Sequence, residues 1–298
     1  MSVPTSRTKE SGRITVIEEK CDGCGKCVSV CSDLCLELLN GKAHPSGKAV
    51  FGCIACGHCM AVCPEAAIEI HGRFLSPEDM FPLPGREQAA NHEQLLALMQ
   101  RRRSIRKYRN IPVEKEVIDR VLEAARSAPM GIPPTDVNIM ILDSREKVRA
   151  FTEDFARYLE KIKWLTSGWF LALMRPFWGK ATDEFFRGFM KPLVDKYLTD
   201  MKKGVNVITY DAPVALYFYG SPYCDPADPI IAATYAMLAA ESLGLGTCML
   251  GAIHPFIQNG KAATRFREKH GIHFKSREGL FVIMGYPKAE FLKGIRRN

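Results

Sequence analysis

The stretch CDGCGKCVSVC, residues 21–31, places four thiols within eleven positions, and CIACGHCMAVCP at 53–64 repeats the arrangement. The first run reads Cys21-x2-Cys24-x2-Cys27-x3-Cys31. The second reads Cys53-x2-Cys56-x2-Cys59-x3-Cys63, followed by Pro64. Three thiolates at this spacing wrap one object from one tight loop, so the intervening residues must be small or flexible. Gly23, Gly25, Ala55 and Gly57 meet that need. The segments RITVIEE (13–19) and AAIEIHGR (66–73) flank the two runs as paired strands, framing a Cys-rich unit with an internal repeat.

This is the bacterial-type spacing for cubane iron–sulfur clusters, in which the fourth Cys of each run ligates the other cluster. It assigns Cys21, Cys24, Cys27 and Cys63 to cluster one and Cys53, Cys56, Cys59 and Cys31 to cluster two. Zinc is the competing reading, but zinc sites pair two CxxC units at a distance, and two full four-Cys runs overshoot that need. Ser32 stands where a Pro usually follows the fourth Cys. Cys35 is an extra thiol, read as a packed residue, because its spacing from Cys31 fits no second loop. Cys224 and Cys248 stand apart and read as small buried hydrophobes. Over about residues 12–73 the chain resembles two-[4Fe-4S] bacterial ferredoxins. That resemblance implies one-electron transfer; a purely structural cluster pair is the alternative.

Eleven cysteines are not read as a disulfide framework, because the opening MSVPTSRTKESGRITVIEEK lacks an apolar core of the secretory type. A cytoplasmic, reducing and anaerobic setting is expected. The most apolar run, WLTSGWFLALM (164–174), is too short to span a bilayer. The net charge of +8 is uneven. Residues 1–72 hold seven Lys/Arg against eight Asp/Glu, so the rest of the chain carries the whole positive excess. A nucleic-acid partner is not expected, since no recognition motif accompanies the charge.

Three segments are predicted: a ferredoxin-type domain (1–73), a Pro/Gly-broken linker (74–91) and a larger domain (92–298). In the larger domain, 112–128 reads as a helix with Val117, Ile118, Val121, Leu122 and Ala125 on one face. Strands follow at 137–143, 213–220 and 279–287. Ser144 is read as an N-cap. Asp228 is read as the N-cap of a long helix, with Pro229 at its first position and Gly244 near its stop. Residues 161–203 are read as a less regular insertion, a lid or substrate-pocket wall rather than a membrane-surface helix. The mixture predicts an α+β or α/β domain with a central sheet.

RRRSIRKY (101–108) alone reads as a solvated basic helix end or a nucleic-acid patch. Followed by IPVEKEVIDRVLEAARSAPMG, DAPVALYFY, DPIIAATYAMLAAESLGLGTCMLGAI and GYPKAEFLKGIRRN in that order, it resembles the nitroreductase-like FMN flavoproteins, in the branch with a fused ferredoxin unit. The resemblance covers roughly 92–298 apart from the insertion. It implies an α+β fold with a sheet flanked by helices, and a homodimer whose FMN sites draw on both chains. It implies that Arg102, Arg103 and Ser104 hold the FMN phosphate and that Arg106 lies near the pyrimidine edge. Met249, Leu250 and Gly251 would face the flavin, and Arg296 and Arg297 would return to the phosphate. Relatives often carry an amide side chain after the Ala-Pro turn. This chain has Pro129, Met130 and Gly131 there, so backbone groups are expected to contact the flavin instead.

The implied function is an FMN-dependent oxidoreductase in which two [4Fe-4S] clusters pass electrons to FMN, which reduces a small acceptor: a nitro compound, a quinone or an activated double bond. The donor would be an external low-potential carrier such as a ferredoxin. One alternative is a flavoprotein that oxidises NAD(P)H and drains electrons through the clusters, although no GxGxxG fingerprint is present. The other is a non-enzymatic electron carrier or redox sensor.

Overall fold

In the computed structural model, which describes residues 10–49 and 51–296, the Cys runs are framed as the spacing predicts. Strand β1 (Arg13–Val16) pairs antiparallel with β4 (Ile68–His71), Arg13 opposite His71 and Val16 opposite Ile68. Between them β2 (Leu36–Leu39) and β3 (Lys42–Pro45) form a hairpin. The two short helices α1 (Lys26–Ser29) and α2 (His58–Val62) begin at equivalent points of the repeat, each after a left-handed glycine, Gly25 at φ 73° and Gly57 at φ 77°. Ile68 and Ile70 from β4, with Leu36, Ala43, Met60 and the thiols of Cys27 and Cys59, make a separate small core.

Residues 74–91 contain only the short turns Pro77–Asp79 and Arg86–Gln88. Helix α3 (His92–Arg101) follows, capped reciprocally by Asn91 and Gln94, and ends where the basic run begins. No sequence expectation marked this helix, because its apolar residues Leu95, Leu96 and Met99 remain exposed.

The larger unit is built on four antiparallel strands in the order β5 (Val137–Leu142), β6 (Val214–Gly220), β8 (Gly279–Gly285), β7 (Gly246–Leu250). The pairing makes the sheet α+β. Strands β6 and β8 are buried on both faces, which is why their sequences read as continuous apolar runs. Along β6, Val214, Leu216 and Phe218 enter one core, while Ala215, Tyr217 and Tyr219 enter the other.

The first core is completed by α4 (Lys115–Arg126), through Ile118, Val121 and Leu122, and by α8 (Asp228–Ser242), through Ala232, Ala233, Ala236 and Met237. The second is completed by α5 (Arg145–Ile162), α7 (Lys191–Lys202), α9 (Ile253–Phe256) and α10 (Lys261–Lys269), with Phe151, Phe155, Leu198 and Phe266 at its centre. Ser144 caps α5 as expected, accepting from Lys147 N.

Two expectations are corrected here. The N-cap of α8 is Ala227, and Asp228 is the first helical residue, with Pro229 beside it. Its carboxylate is drawn to a tertiary donor instead, accepting from Gly131 N at 3.0 Å. Residues 161–203 are helical almost throughout: α6 (Gly168–Phe185), a π turn (Phe186–Met190) and α7. Pro176 and the kink at Gly179, together with aromatics spread around the axis, hide the helical period. Moreover α7 belongs to the main core, through Val194 and Leu198. Among the described residues no helix is long and apolar enough to cross a membrane.

Candidate functional site

The basic run is held by main-chain bonds rather than by helix. Ile105 N donates to Thr247 O at 2.8 Å, and Ser104 bridges Thr247 in parallel register. Further on, Arg109 N donates to Tyr286 O and Lys288 N to Lys107 O, so residues 104–109 run along β7 and the chain that leaves β8. Gly246 permits this approach: a Cβ there would stand 2.4 Å from Ile105 Cγ1.

Arg101, Arg102 and Arg103 then line a concavity of about 830 Å³ with Phe291–Arg296 of the tail. Arg296 is thereby brought to Arg102 and Arg103. Arg297 lies outside the described residues. Arg102 Nη1 is buried with no hydrogen-bond partner among the described residues, and so is Thr247 Oγ1 beside Ser104. A buried guanidinium nitrogen without an acceptor fits an oxyanion such as a phosphate. Glu241 is pushed up by burial, while Arg101, Arg102 and Arg103 pull it the other way. Arg106 lies over the Tyr210 ring, its Cζ 5.7 Å from the centroid.

At the far end of β7, Met249 is exposed, Leu250 is buried, and Gly251 has open space where a Cβ would point. Pro129, Met130 and Gly131 are exposed. Gly131 lines a second concavity with Asp136, Tyr223, Asp225, Asp228 and Arg277, which shares no residue with the basic one. One chain thus does not bring 129–131 into the arginine concavity, and Gly131 N–H is already committed to Asp228.

Seven of the eight thiols fall into two groups by the neighbours whose charge each feels. Burial pushes the Cys27 thiol up, and the charges that add to it are those of Cys63 and Cys21. Cys59 is pushed up to about 12 by burial, with Cys53, Cys56 and Cys31 adding. Cys53 is raised by burial too, with Cys56 and Cys31 adding and Arg73 opposing. Apart from Cys24, these neighbours agree with the two sets that the spacing assigns, each including a thiol of the other run.

Backbone donors reach the sulfurs in the same way in both runs. Cys35 N donates to Cys31 Sγ and Ala67 N to Cys63 Sγ, each at 3.2 Å and each four residues on. Cys35 is thus the counterpart of Ala67, a buried packing residue, as its spacing implies. Its thiol is pushed up to about 12 by burial, with Cys31 adding. Among the described residues no three His, Cys, Asp or Glu side chains converge as ligands of a single ion.

A polar network that the sequence reading missed lies under the sheet. His254, in α9, is only 6% exposed. Its Nδ1 is 2.9 Å from Tyr217 Oη, and Gln258 Nε2 donates to the same hydroxyl at 3.1 Å. Ser276 N donates to Gln258 Oε1, and Gly220 N to Ser276 Oγ. Burial pushes His254 down, with the Arg277 carbonyl opposing. The i, i+4 pair His254/Gln258 was the available signal, but only the tertiary fold supplies Tyr217. Cys248 is buried, as expected. Burial raises its thiol, and Arg106 is the largest opposing charge.

No protein of curated function matches the chain. Among solved structures, the chain is similar to a nitroreductase with bound FMN from Bacteroides fragilis, with 18% identity, a TM-score of 0.50, and coverage of 70% of this chain and 96% of that one. A nitroreductase with bound FMN from Desulfitobacterium hafniense matches at 18% identity over 68% of this chain and 94% of that one, with a TM-score of 0.48. An FMN-dependent nitroreductase from Clostridium difficile matches at 23% identity over 67% and 91%, with a TM-score of 0.41. The likeness to the first is one of fold. The model of the Nitroreductase family matches residues 99–286, well over half of the chain, from the basic run to the end of the sheet, and the protein belongs to that family.

Proposed function

We propose that the protein is an FMN-dependent oxidoreductase of the nitroreductase type, fed by two [4Fe-4S] clusters held within its first 73 residues. The observation that carries the flavin half is the enclosed, unpartnered Arg102 Nη1 in a concavity completed by Arg103 and Arg296. Arg102, Arg103, Ser104 and Arg296 would hold the FMN phosphate, with bidentate and hydroxyl donors suited to its oxygens. Arg106 would place a fixed cation where the reduced flavin ring gathers negative charge. Met249, Leu250 and Gly251 would border the ring, Gly251 through the open space at its Cα.

The cluster half is supported by the partition of thiols into Cys21, Cys27 and Cys63 on one side and Cys31, Cys53, Cys56 and Cys59 on the other. Cys24 completes the first set by its place in the loop. The backbone donors to Cys31 and Cys63 would steady the thiolate charge and tune the potential. When bound, the clusters supply electrons singly and the flavin supplies two-electron chemistry on an organic acceptor. A nitro compound, a quinone or an activated double bond is the acceptor class, and a low-potential external carrier or NAD(P)H is the donor class.

A homodimer is part of this reading. Leu95, Leu96 and Met99 on α3, and Phe291, Leu292 and Ile295 on the tail, are exposed apolar groups that a second chain would cover. A two-chain site would also join the 129–131 loop of one copy to the arginine concavity of the other. The exposed aromatics Trp164, Trp169 and Phe177 of the insertion would form the wall or lid of the substrate pocket.

The direct test is anaerobic isolation with reconstitution. About eight irons and one FMN per chain are expected, with flavin bleaching by reduced ferredoxin or NAD(P)H and turnover of a nitro or quinone acceptor. Full iron loading with no FMN bound would sink the flavin half. FMN bound with no iron would sink the cluster half.

A further inference from the structure

Arg73 follows β4 and is 5% exposed. Its backbone is left-handed, at φ 53°. From that position its guanidinium reaches three carbonyls. Nε donates to Ile54 O at 3.1 Å, between Cys53 and Ala55 in the loop of cluster two. Nη1 donates to Glu10 O at 3.0 Å. Nη2 donates to Pro133 O at 2.7 Å, in the loop that follows α4. The last bond leaves the Cys-rich unit and ends four residues from Pro129. The receiving loop is itself anchored to the larger unit: Gly131 N donates to Asp228 Oδ1, and Ser221 N to Asp136 O at 3.3 Å. One side chain therefore ties the backbone beside a cluster-two thiol to the loop that borders the second concavity.

We propose that Arg73 is the positioning residue for electron hand-off between cluster two and the flavin of the two-chain site, docking the 53–59 loop on the 129–136 loop that would border that flavin and biasing cluster two with its charge; this rests on the function proposed above. Electron transfer falls steeply with distance, so a fork that fixes two loops against each other fixes the rate. Each hand-off oxidises the cluster by one electron and gives that electron to the flavin. With both groups bound, two hand-offs and one proton from solvent would complete reduction to the anionic flavin that Arg106 favours, and an external low-potential reductant would restore the clusters. The cation beside Cys53 stabilises the more negative, reduced cluster. Lysine keeps the charge but lacks the planar fork that serves several carbonyls at once.

The two roles therefore separate in two variants of the full-length, reconstituted protein, with dithionite as reductant. In Arg73→Gln, the cluster-two potential in an EPR-monitored titration should fall by about 59 mV, a tenfold change for one electron. Flavin bleaching in stopped flow should slow at least about tenfold. In Arg73→Lys the potential should stay near the wild-type value while bleaching still slows several-fold. A fully loaded Arg73→Gln protein with unchanged potential and bleaching rate would overturn the proposal alone. If that variant fails to hold its clusters, Arg73→Lys decides, and wild-type bleaching in it overturns the proposal. Wild-type protein lacking iron or flavin would overturn the reading beneath it, and the proposal with it.

Discussion

At the scale of single residues, the site depends on close approach. Gly246 has room for no side chain, because Ile105 sits where its Cβ would be. Gly246→Ala should destabilise the protein by about 1–3 kcal/mol, read as a lowered urea midpoint, and weaken FMN binding by displacing 102–106. In the proposed site Arg102 would act through charge rather than packing. Arg102→Ala should lose about 1.5–3 kcal/mol of FMN affinity, seen as a more than tenfold rise in Kd by flavin fluorescence, with the fold intact. His254 tests the polar network. Its pKa is depressed in the folded state, so the unfolded chain binds more protons as pH falls through and below about 6.5, and stability is lost in that window. The urea midpoint should drop between pH 7 and 5.5, and His254→Gln should shrink that drop. An unchanged drop would mean that His270, also depressed by burial, carries it.

At the scale of elements, the insertion divides into two parts with different physics. Its α7 feeds the core through Val194 and Leu198, beside α5, where Phe155 is fully buried and packs against Tyr158 and Phe266. Phe155→Ala should cost about 3–5 kcal/mol. Trp169 is 63% exposed and stacks on Trp164 at 6.4 Å. Trp169→Ala should change stability by no more than about 0.5 kcal/mol. It should nonetheless alter KM for an aromatic acceptor if this crest is the pocket wall; unchanged kinetics would remove the crest from the site. Helix α8 is apolar around most of its surface, because it packs on the sheet through Ala232, Ala236 and Met237 and on α4 from another side.

At the scale of the whole molecule, the proposed assignment interleaves the two Cys runs. Cys63→Ser should perturb the same cluster signal as Cys21→Ser, and Cys31→Ser the same signal as Cys56→Ser, in EPR spectra of the reduced protein. Grouping by run instead would overturn the crossed assignment. The exposed apolar groups of α3 and the tail make a second prediction. On the proposed two-chain reading, a Leu96→Lys, Ile295→Lys double variant should shift the protein toward monomer in light scattering and lose FMN with it.

Much of this was written locally. The thiol spacing, the left-handed positions in both runs, the strand cores of β6 and β8 and the face of α4 follow from covalent geometry and from the periods of 2 and 3.6, which act within a few residues. What lay beyond reading was decided by groups that meet from far apart in the chain. Asp228 turned from cap to tertiary acceptor because Gly131 arrived beside it. His254 became a buried partner because Tyr217 of β6 meets it within one core. Arg73 spans two units because Ile54 and Pro133 fold to within reach of one guanidinium. A local pattern dictates which backbone shapes are open to a segment, but a hydrogen bond between residues tens of positions apart exists only once packing has brought its two ends together.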